Sequence, residues 1–201
     1  MESIGKDIFS TWKRSIKKVI DSNLVVPTER HGDAKELLNF QLRISTPLHN
    51  ISNVTDFDKN RGIDYNTVSN QKYWNSVEER LVRFISRNGD INQVESIHNR
   101  LQKYTYSRQA YATIWSPEED TVSSFPYCIL GIYFFIREGN LNMTSLLRSN
   151  DAWGQALNDI YHLVHIQKKI AEEMGVPVGT YIHYAMSYHI YISDLVNAKK
   201  L

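Results

Sequence analysis

The stretch PYCILGIYFFIREGNLNMTSLLRSND, residues 126–151, decides how this chain folds. Pro126 to Ile136 is strongly apolar and reads as a buried strand. Arg137-Glu138-Gly139-Asn140 is a turn, and Leu141 to Leu147 runs back antiparallel. The hairpin carries Cys128 at its head and the run Arg148-Ser149-Asn150-Asp151 at its foot. Cys128 is the only cysteine, so it makes no internal disulfide. It is either a packed apolar side chain or a nucleophile. An arginine, a hydroxyl, an amide and a carboxylate in a row suit a polar, anion-binding pocket.

Around the hairpin the chain alternates helices and strands. Ile4, Ile8, Trp12, Ile16 and Ile20 recur every four residues and predict a first amphipathic helix. Val25 to Asp33 reads as a loop, and Leu37 to Ser45 alternates as a strand. Asn50 to Asn70 is polar and aperiodic and reads as a loop. Trp74–Ile85 and Ile91–Tyr104 predict helices, and Gln109–Trp115 a strand. Ala156 to Met174 has helical periodicity and stops at Gly175, with Pro177 beyond. Tyr181–Ile190 predicts another strand, followed by a short helix. The expected class is α+β, one domain over residues 1–201, with a mixed or antiparallel sheet and packed helices.

Bulk properties exclude more than they assign. The 23 basic and 22 acidic residues nearly cancel, so nothing points to a nucleic-acid or anionic membrane partner. No apolar run is long enough to span a membrane, and the first twenty residues lack a signal pattern. With a single thiol, this fits a cytoplasmic protein. His162 and His165 lie three apart with no second ligand pair, so no metal site is expected. Four of the 12 tyrosines, at 181, 184, 188 and 191, predict a half-polar packed surface such as a subunit interface.

Several polar residues fall near element ends. Arg30 lies on a loop with His31 and Gly32, and Ser107-Arg108 begins a predicted strand. His189 and Tyr191 share one strand face, because side chains two apart point the same way. Arg30, Arg108 and Arg148 could form a phosphate cradle, since a guanidinium fork pairs phosphate oxygens in twos. Cations nearby would favour the thiolate of Cys128. Asp151, ahead of an apolar helix, reads most simply as an N-cap.

Taken in order, Ser107-Arg108, Pro126-Tyr127-Cys128, Arg148-Ser149-Asn150-Asp151 and His189-Ile190-Tyr191 resemble the thymidylate synthase superfamily, including the pyrimidine hydroxymethylases. The intervals from Arg108 to Cys128, Cys128 to Arg148 and Arg148 to His189 match that family without gaps. The resemblance implies a thymidylate-synthase-like fold and a pyrimidine nucleoside 5′-monophosphate as substrate. It implies 5,10-methylenetetrahydrofolate as one-carbon co-substrate. Cys128 would add to C6 of the pyrimidine. Arg148, Ser149 and Arg30 would bind the 5′-phosphate. Arg108 would reach the partner's site in a homodimer. His189 and Tyr191 would hold the sugar, with Asn150 in the same binding run. Asp151 would lie near base and folate.

The family's base-reading position, eight residues after the Asp of the Arg-Ser-x-Asp run, falls on Asp159, with Asn158 before it. An aspartate there resembles the cytidylate (CMP or dCMP) hydroxymethylases. A carboxylate accepts from the cytosine amine and, if protonated, donates to N3. A single gap would place Asn158 there and favour uridylate.

The chain also departs from the family. Gln109 stands for a second arginine, and Ile129 stands where many synthases have histidine. The catalytic glutamate has no clear counterpart: Glu78 and Glu79 are out of context, leaving Asp56 or Asp58. The chain ends ten residues after Tyr191, a shorter tail that suits capture by water rather than hydride. The readings are therefore a cytidylate hydroxymethyltransferase, a dUMP methylase, or a nucleotide-binding dimer without transferase activity.

Overall fold

In the computed structural model, which describes residues 1–201, the chain runs β1 (Glu2–Gly5), α1 (Ile8–Ile20), β2 (Val25–Pro27), β3 (Asp33–Ile44), α2 (Ser52–Asn60), α3 (Val68–Val82), β4 (Phe84–Ser86), β5 (Gly89–Ile91), α4 (Gln93–Lys103), β6 (Tyr111–Thr113), α5 (Pro117–Asp120), β7 (Ile129–Arg137), β8 (Asn140–Asp151), α6 (Ala156–Glu173), β9 (Val178–Tyr191) and α7 (Leu195–Ala198). β7 and β8 are the expected hairpin. Glu138 and Gly139 both have positive φ, 52° and 74°, and connect the paired residues Arg137 and Asn140. That is the two-residue turn whose twist matches paired strands.

The main sheet has the order β1-β3-β9-β8-β7-β6, with β2 paired to β3. β8 and β9 run parallel, joined by α6, while β3/β9, β7/β8 and β6/β7 are antiparallel. The fold is α+β with a mixed sheet. α1 and α6 pack on β3, β8 and β9, and the core is one cluster running through Trp12, Phe40, Phe134, Leu147, Leu163 and Tyr188. The helix predicted after Gln155 ends as its sequence requires. Val176 N–H donates to Ala171 O and Gly175 N–H to Glu172 O, with Gly175 at φ 66°.

Three adjacent strands slip their alternation at the same level. Buried positions jump from Phe40 to Leu37, from Leu147 to Asn150 and from Ala185 to Tyr188. Register across the strands is unbroken by the slip, and Asn39 takes φ 52° within it. A one-residue slip moves every following side chain to the other face. Here it turns Asn150 and Tyr188 into the interior and leaves Arg148 and Ser149 side by side on the half-buried rim.

The structure corrects four expectations. Ile4 is not helical: Glu2–Gly5 pairs with Gln41–Ile44, and α1 starts at Ile8 behind the Asp7 cap, whose carboxylate accepts from Ser10 N at 2.8 Å. Gly5 permits this, because a Cβ there would stand 2.0 Å from Arg14 Nη2. The loop expected over 50–70 holds α2 and the start of α3. The apolar side of α2 is only Val54 and Phe57, and its third inward residue is the polar Asp58. Val25–Pro27 is a strand on β3. The four tyrosines do not form one surface. Tyr181 and Tyr188 are fully buried, Tyr184 points to Asn39 at 3.1 Å, and Tyr191 lies by His31 and His189.

Candidate functional site

Cys128 stands one residue before β7, in a segment gripped from several sides. Arg148 donates through Nε to Tyr127 O at 3.1 Å and through Nη2 to Pro126 O at 3.0 Å, and its backbone N–H donates to Cys128 O at 2.9 Å. Asp120 accepts from Tyr127 N–H at 3.1 Å and is itself paired with Arg80 at 2.6 Å. The Arg80 guanidinium lies 4.2 Å from the Tyr127 ring, whose hydroxyl meets Ser76 Oγ at 2.5 Å. Arg30 reaches the same segment from its loop. It donates to Ser124 O and lies 4.0 Å over the Phe125 ring.

β8 and β9 supply the sugar-side candidates. Asp151 and His189 are register partners, and the His189 and Tyr191 rings meet edge to face at 5.0 Å. His189 is buried, and its Nε2 has no hydrogen-bond partner. A buried imidazole nitrogen without a partner is costly unless something supplies one. Burial lowers its pKa, against the raising influence of Asp151. Ser149 Oγ makes no hydrogen bond within the chain and lies half-buried beside Ser187 in register.

Asp151 is not the cap of α6, which begins five residues later at Ala156. Its Oδ1 instead accepts from Trp153 N–H at 3.1 Å and Gly154 N–H at 2.9 Å and organises the turn between β8 and α6. Gly154 is required there, since a Cβ would stand 2.3 Å from Asp151 Oδ2. That second oxygen accepts no hydrogen bond, and burial raises the carboxyl's pKa.

The first turn of α6 presents Asn158 and Asp159 to different neighbours. Asn158 is tied to Asn70 of α3, donating to its Oδ1 at 2.7 Å and accepting from its Nδ2 at 3.3 Å. Asp159 Oδ2 accepts from Asn150 Nδ2 at 2.6 Å. Burial pushes the Asp159 carboxyl up to about 7, Asn150 works against this, and Asp151 adds to it. Its charge is felt by Cys128 and by Tyr65 and Tyr73.

Cys128 itself is held as a thiol rather than a thiolate. Burial raises its pKa first, Arg148 lowers it, and Asp159 raises it again. The expected cationic activation is present through Arg148, but desolvation outweighs it. Arg108 does not join this cluster. It is exposed on the segment ahead of β6, makes no hydrogen bond or ion pair in the chain, and Ser107 Oγ caps the local turn to Gln109 N–H at 3.1 Å. That turn, not a strand, is where Ser107-Arg108 lies.

Tyr73, which the sequence left unassigned, and Asp58, one of the two acids it left open, bear on this site. Burial holds the Tyr73 hydroxyl up in pKa, and Asp159, Cys128 and Tyr127 add to this, so the group lies within the field of all three. Its ring lies 5.4 Å from that of Tyr127. Of the acidic residues before α4, Asp56, Glu78 and Glu79 are exposed while Asp58 is fully buried. Asp58 accepts from Tyr65 Oη at 2.5 Å and Arg61 Nε at 2.7 Å. The Arg61 guanidinium is boxed by Trp153, Phe57 and Trp12 at 4.6, 5.3 and 5.7 Å. Such positions are invisible to periodicity because they are polar residues on inward faces of helices.

Comparison with known proteins supplies the class. The thymidylate synthase family profile matches residues 10–201. Members of that family are one-carbon transferases that act on a pyrimidine nucleotide with methylenetetrahydrofolate. A protein of Methanocaldococcus jannaschii named "Putative thymidylate synthase" is 30% identical over 200 residues, covering 92% of this chain and 88% of its own. Proteins of the same name from Methanothermobacter thermautotrophicus and Methanosarcina barkeri are 27% and 26% identical, covering 97% and 94% of this chain and 95% and 89% of theirs. The chain belongs to the thymidylate synthase family. No helix is long and apolar enough to cross a membrane.

Proposed function

We propose that the chain is a folate-dependent hydroxymethyltransferase that modifies C5 of a cytidine 5′-monophosphate, CMP or dCMP. The observation that carries this reading is Asp159, a buried carboxyl held near neutrality and hydrogen-bonded to Asn150, within the field of Cys128. Cytosine needs an acceptor for its N4 amine and a donor for N3. A carboxyl that carries its proton at neutral pH meets both. Asn158, the alternative reader, already spends its amide on Asn70.

Each residue has a place in the chemistry. Arg148 and Arg30 converge on the segment around Cys128 and would meet the phosphate with Ser149. His189 Nε2, buried and unpartnered, would take a sugar hydroxyl with Tyr191 beside it. The Cys128 sulfur would bond to C6, making C5 nucleophilic. C5 bonds to the one-carbon unit, the C5 proton is then removed, and tetrahydrofolate departs as the leaving group, which gives an exocyclic methylene with Cys128 still on C6. Water would add to that methylene, and expulsion of the thiolate from C6 would restore the ring as the 5-hydroxymethyl product. Tyr73, within the field of both Cys128 and Asp159, is the hydroxyl placed to hold or relay that proton. Asp58 would be the acid that stands for the family's missing glutamate, joined to the site through Tyr65.

Asp151 fits the co-substrate. Its Oδ2 accepts no bond within the protein, and a free carboxylate oxygen suits the N–H edge of a pterin. Methylenetetrahydrofolate, when bound, supplies the one-carbon unit. Arg108, with no partner in its own chain, would serve a second copy's phosphate in a homodimer. The sheet face away from α1 and α6 supports such pairing, with Leu38 and Met186 exposed and Tyr133 and Phe135 stacked at 5.7 Å.

The names of the relatives favour a second reading, methylation of dUMP. Incubation with methylenetetrahydrofolate and each of CMP, dCMP, UMP and dUMP, followed by mass spectrometry, separates the two. Hydroxymethylated cytidylate supports the first reading. A methylated uridylate formed with dihydrofolate replaces it with the second, and saturable nucleotide binding without turnover replaces both with a binding dimer.

A further inference from the structure

Behind Asp159 lies a line of buried polar groups that the reaction does not touch. Asn150 donates through Nδ2 to Asp159 Oδ2 at 2.6 Å. Its Oδ1 meets His183 Nε2 at 2.9 Å. His183 Nδ1 meets the Tyr181 hydroxyl at 2.8 Å, and that hydroxyl meets Ser145 Oγ at 2.7 Å. His183, Tyr181 and Ser145 are all fully buried. A buried imidazole at the centre of a sheet protein, with no substrate in reach, calls for a reason.

The line has a direction. Ser145 Oγ has only two neighbours that could accept its proton, the Tyr181 hydroxyl and His183 Nδ1, the latter at 3.4 Å. If Ser145 donates to Tyr181, then Tyr181 donates to His183 Nδ1, His183 Nε2–H donates to Asn150 Oδ1, and Asn150 donates to Asp159. Every donor is used. The reversed order puts a proton on His183 Nδ1 and points the Tyr181 hydroxyl at Ser145. Ser145 then keeps a buried proton with no acceptor, which folded proteins avoid. The imidazole stays neutral throughout, since burial holds its pKa down at about 3.

We infer that His183, backed by Tyr181 and Ser145, is a positioning residue for the base-reading carboxyl: it holds the Asn150 amide with its NH₂ toward Asp159 Oδ2, which confines the aspartate's proton to Oδ1. The inference rests on the reading of Asp159 as the base contact. Its consequence is a carboxylic acid whose O–H is presented from one defined oxygen, while Oδ2 stays an acceptor. That arrangement complements the N3 and N4 edge of cytosine and opposes the N3–H of uracil. The other titratable groups facing Asp159 are Asp151, Cys128, Tyr65, Tyr73 and Tyr181. None of them contacts the Asn150 amide, and only Tyr181 bears on its orientation, through its hydrogen bond to His183 Nδ1.

The test has one readout that needs no variant and one that needs no substrate. Nitrogen-15 NMR of the wild-type protein should show His183 neutral with its proton on Nε2; a proton on Nδ1 overturns the inference. Carbon-13 NMR of the Asp159 carboxyl should show its midpoint rising by about one pH unit in His183→Phe, where the amide is released. An unchanged midpoint also overturns it. In the same variant the ratio of kcat/KM for cytidylate over uridylate should fall about tenfold, the worth of one oriented hydrogen bond. Asp159→Asn tests the underlying reading separately. If that variant leaves base preference unchanged while both NMR results stand, the base-contact reading fails and the positioning of Asp159 by His183 holds.

Discussion

Asn158 and Asn70 share a reciprocal amide contact, 2.7 Å in one direction and 3.3 Å in the other, that joins α6 to α3. The contact turns the chain's one candidate amide reader toward a helix and leaves its neighbour Asp159 with Asn150. Asp159→Asn should therefore shift base preference from cytidylate toward uridylate. Asn158→Ala should instead lower stability by about 1–3 kcal/mol, the cost of stranding a buried amide, with the preference kept. Paired kcat/KM values and thermal melts of both variants check this, and a preference shift in Asn158→Ala alone would reverse the assignment.

The Asp159 carboxyl also predicts a pH dependence. Its folded pKa, about 7, lies above the ordinary 3.8. The folded state therefore binds more protons than the unfolded chain between those values. This contribution to stability is fully present below about pH 4 and is lost as pH rises through about 7. The difference in melting temperature between wild type and Asp159→Asn should shift in the variant's favour from pH 5 to pH 8. Cytidylate binding should weaken over the upper part of the same range, as the donor to N3 is lost. A difference in melting temperature independent of pH would show that the carboxyl is not held near neutrality.

Cys128 should be slow to alkylate at neutral pH, because burial keeps it protonated. Removing the Asp159 charge should lower its pKa, and Arg148→Gln should raise it. Iodoacetamide rates measured across pH 6 to 10 read both shifts. Cys128→Ser should reduce turnover by about a thousandfold or more while nucleotide binding survives. Wild-type-like activity in that variant would remove the covalent scheme.

Arg148 holds two carbonyls with a fork, so charge alone should not replace it. Arg148→Lys should raise KM for the nucleotide and loosen the segment of residues 126–128, because an ammonium cannot bridge Pro126 O and Tyr127 O together. Hydrogen exchange at Cys128 and Ile129 measures the loosening. Equal protection in the two proteins would mean the fork is dispensable.

Asp58 is fully buried against Arg61 and Tyr65. Asp58→Ala leaves Arg61 charged among three aromatic rings with no carboxylate and should cost about 3–5 kcal/mol. Denaturant melts check the size, and a loss below about 1 kcal/mol would place Asp58 outside the folded core.

Much of this molecule was legible before any coordinates. The β7–β8 hairpin, α6 and its Gly175 cap follow from local patterns, because apolar runs, turn residues and helix-ending glycines act over a few residues. The ordered set from Ser107-Arg108 through Cys128 and Arg148–Asp151 to His189–Tyr191 also carried the resemblance to the family that the profile match shows. α2 was not legible, because its inward side is half polar and its buried Asp58 is stabilised by partners three and seven residues on. Tyr73 was not legible either, since nothing in α3 marks which of its aromatic residues lies within the field of Cys128.

The one-dimensional order of residues determined which side chains are the candidates for chemistry: one thiol, the run Arg148 to Asp151, and an aspartate eight residues beyond it. Tertiary structure decided what those groups experience. Burial raises the Cys128 thiol and the Asp159 carboxyl, the aligned slip in three strands turns Asn150 inward, and His183 comes to lie behind it. The reason is that ionisation and amide orientation depend on desolvation and on partners from other strands and helices, and those meet only when the sheet is assembled.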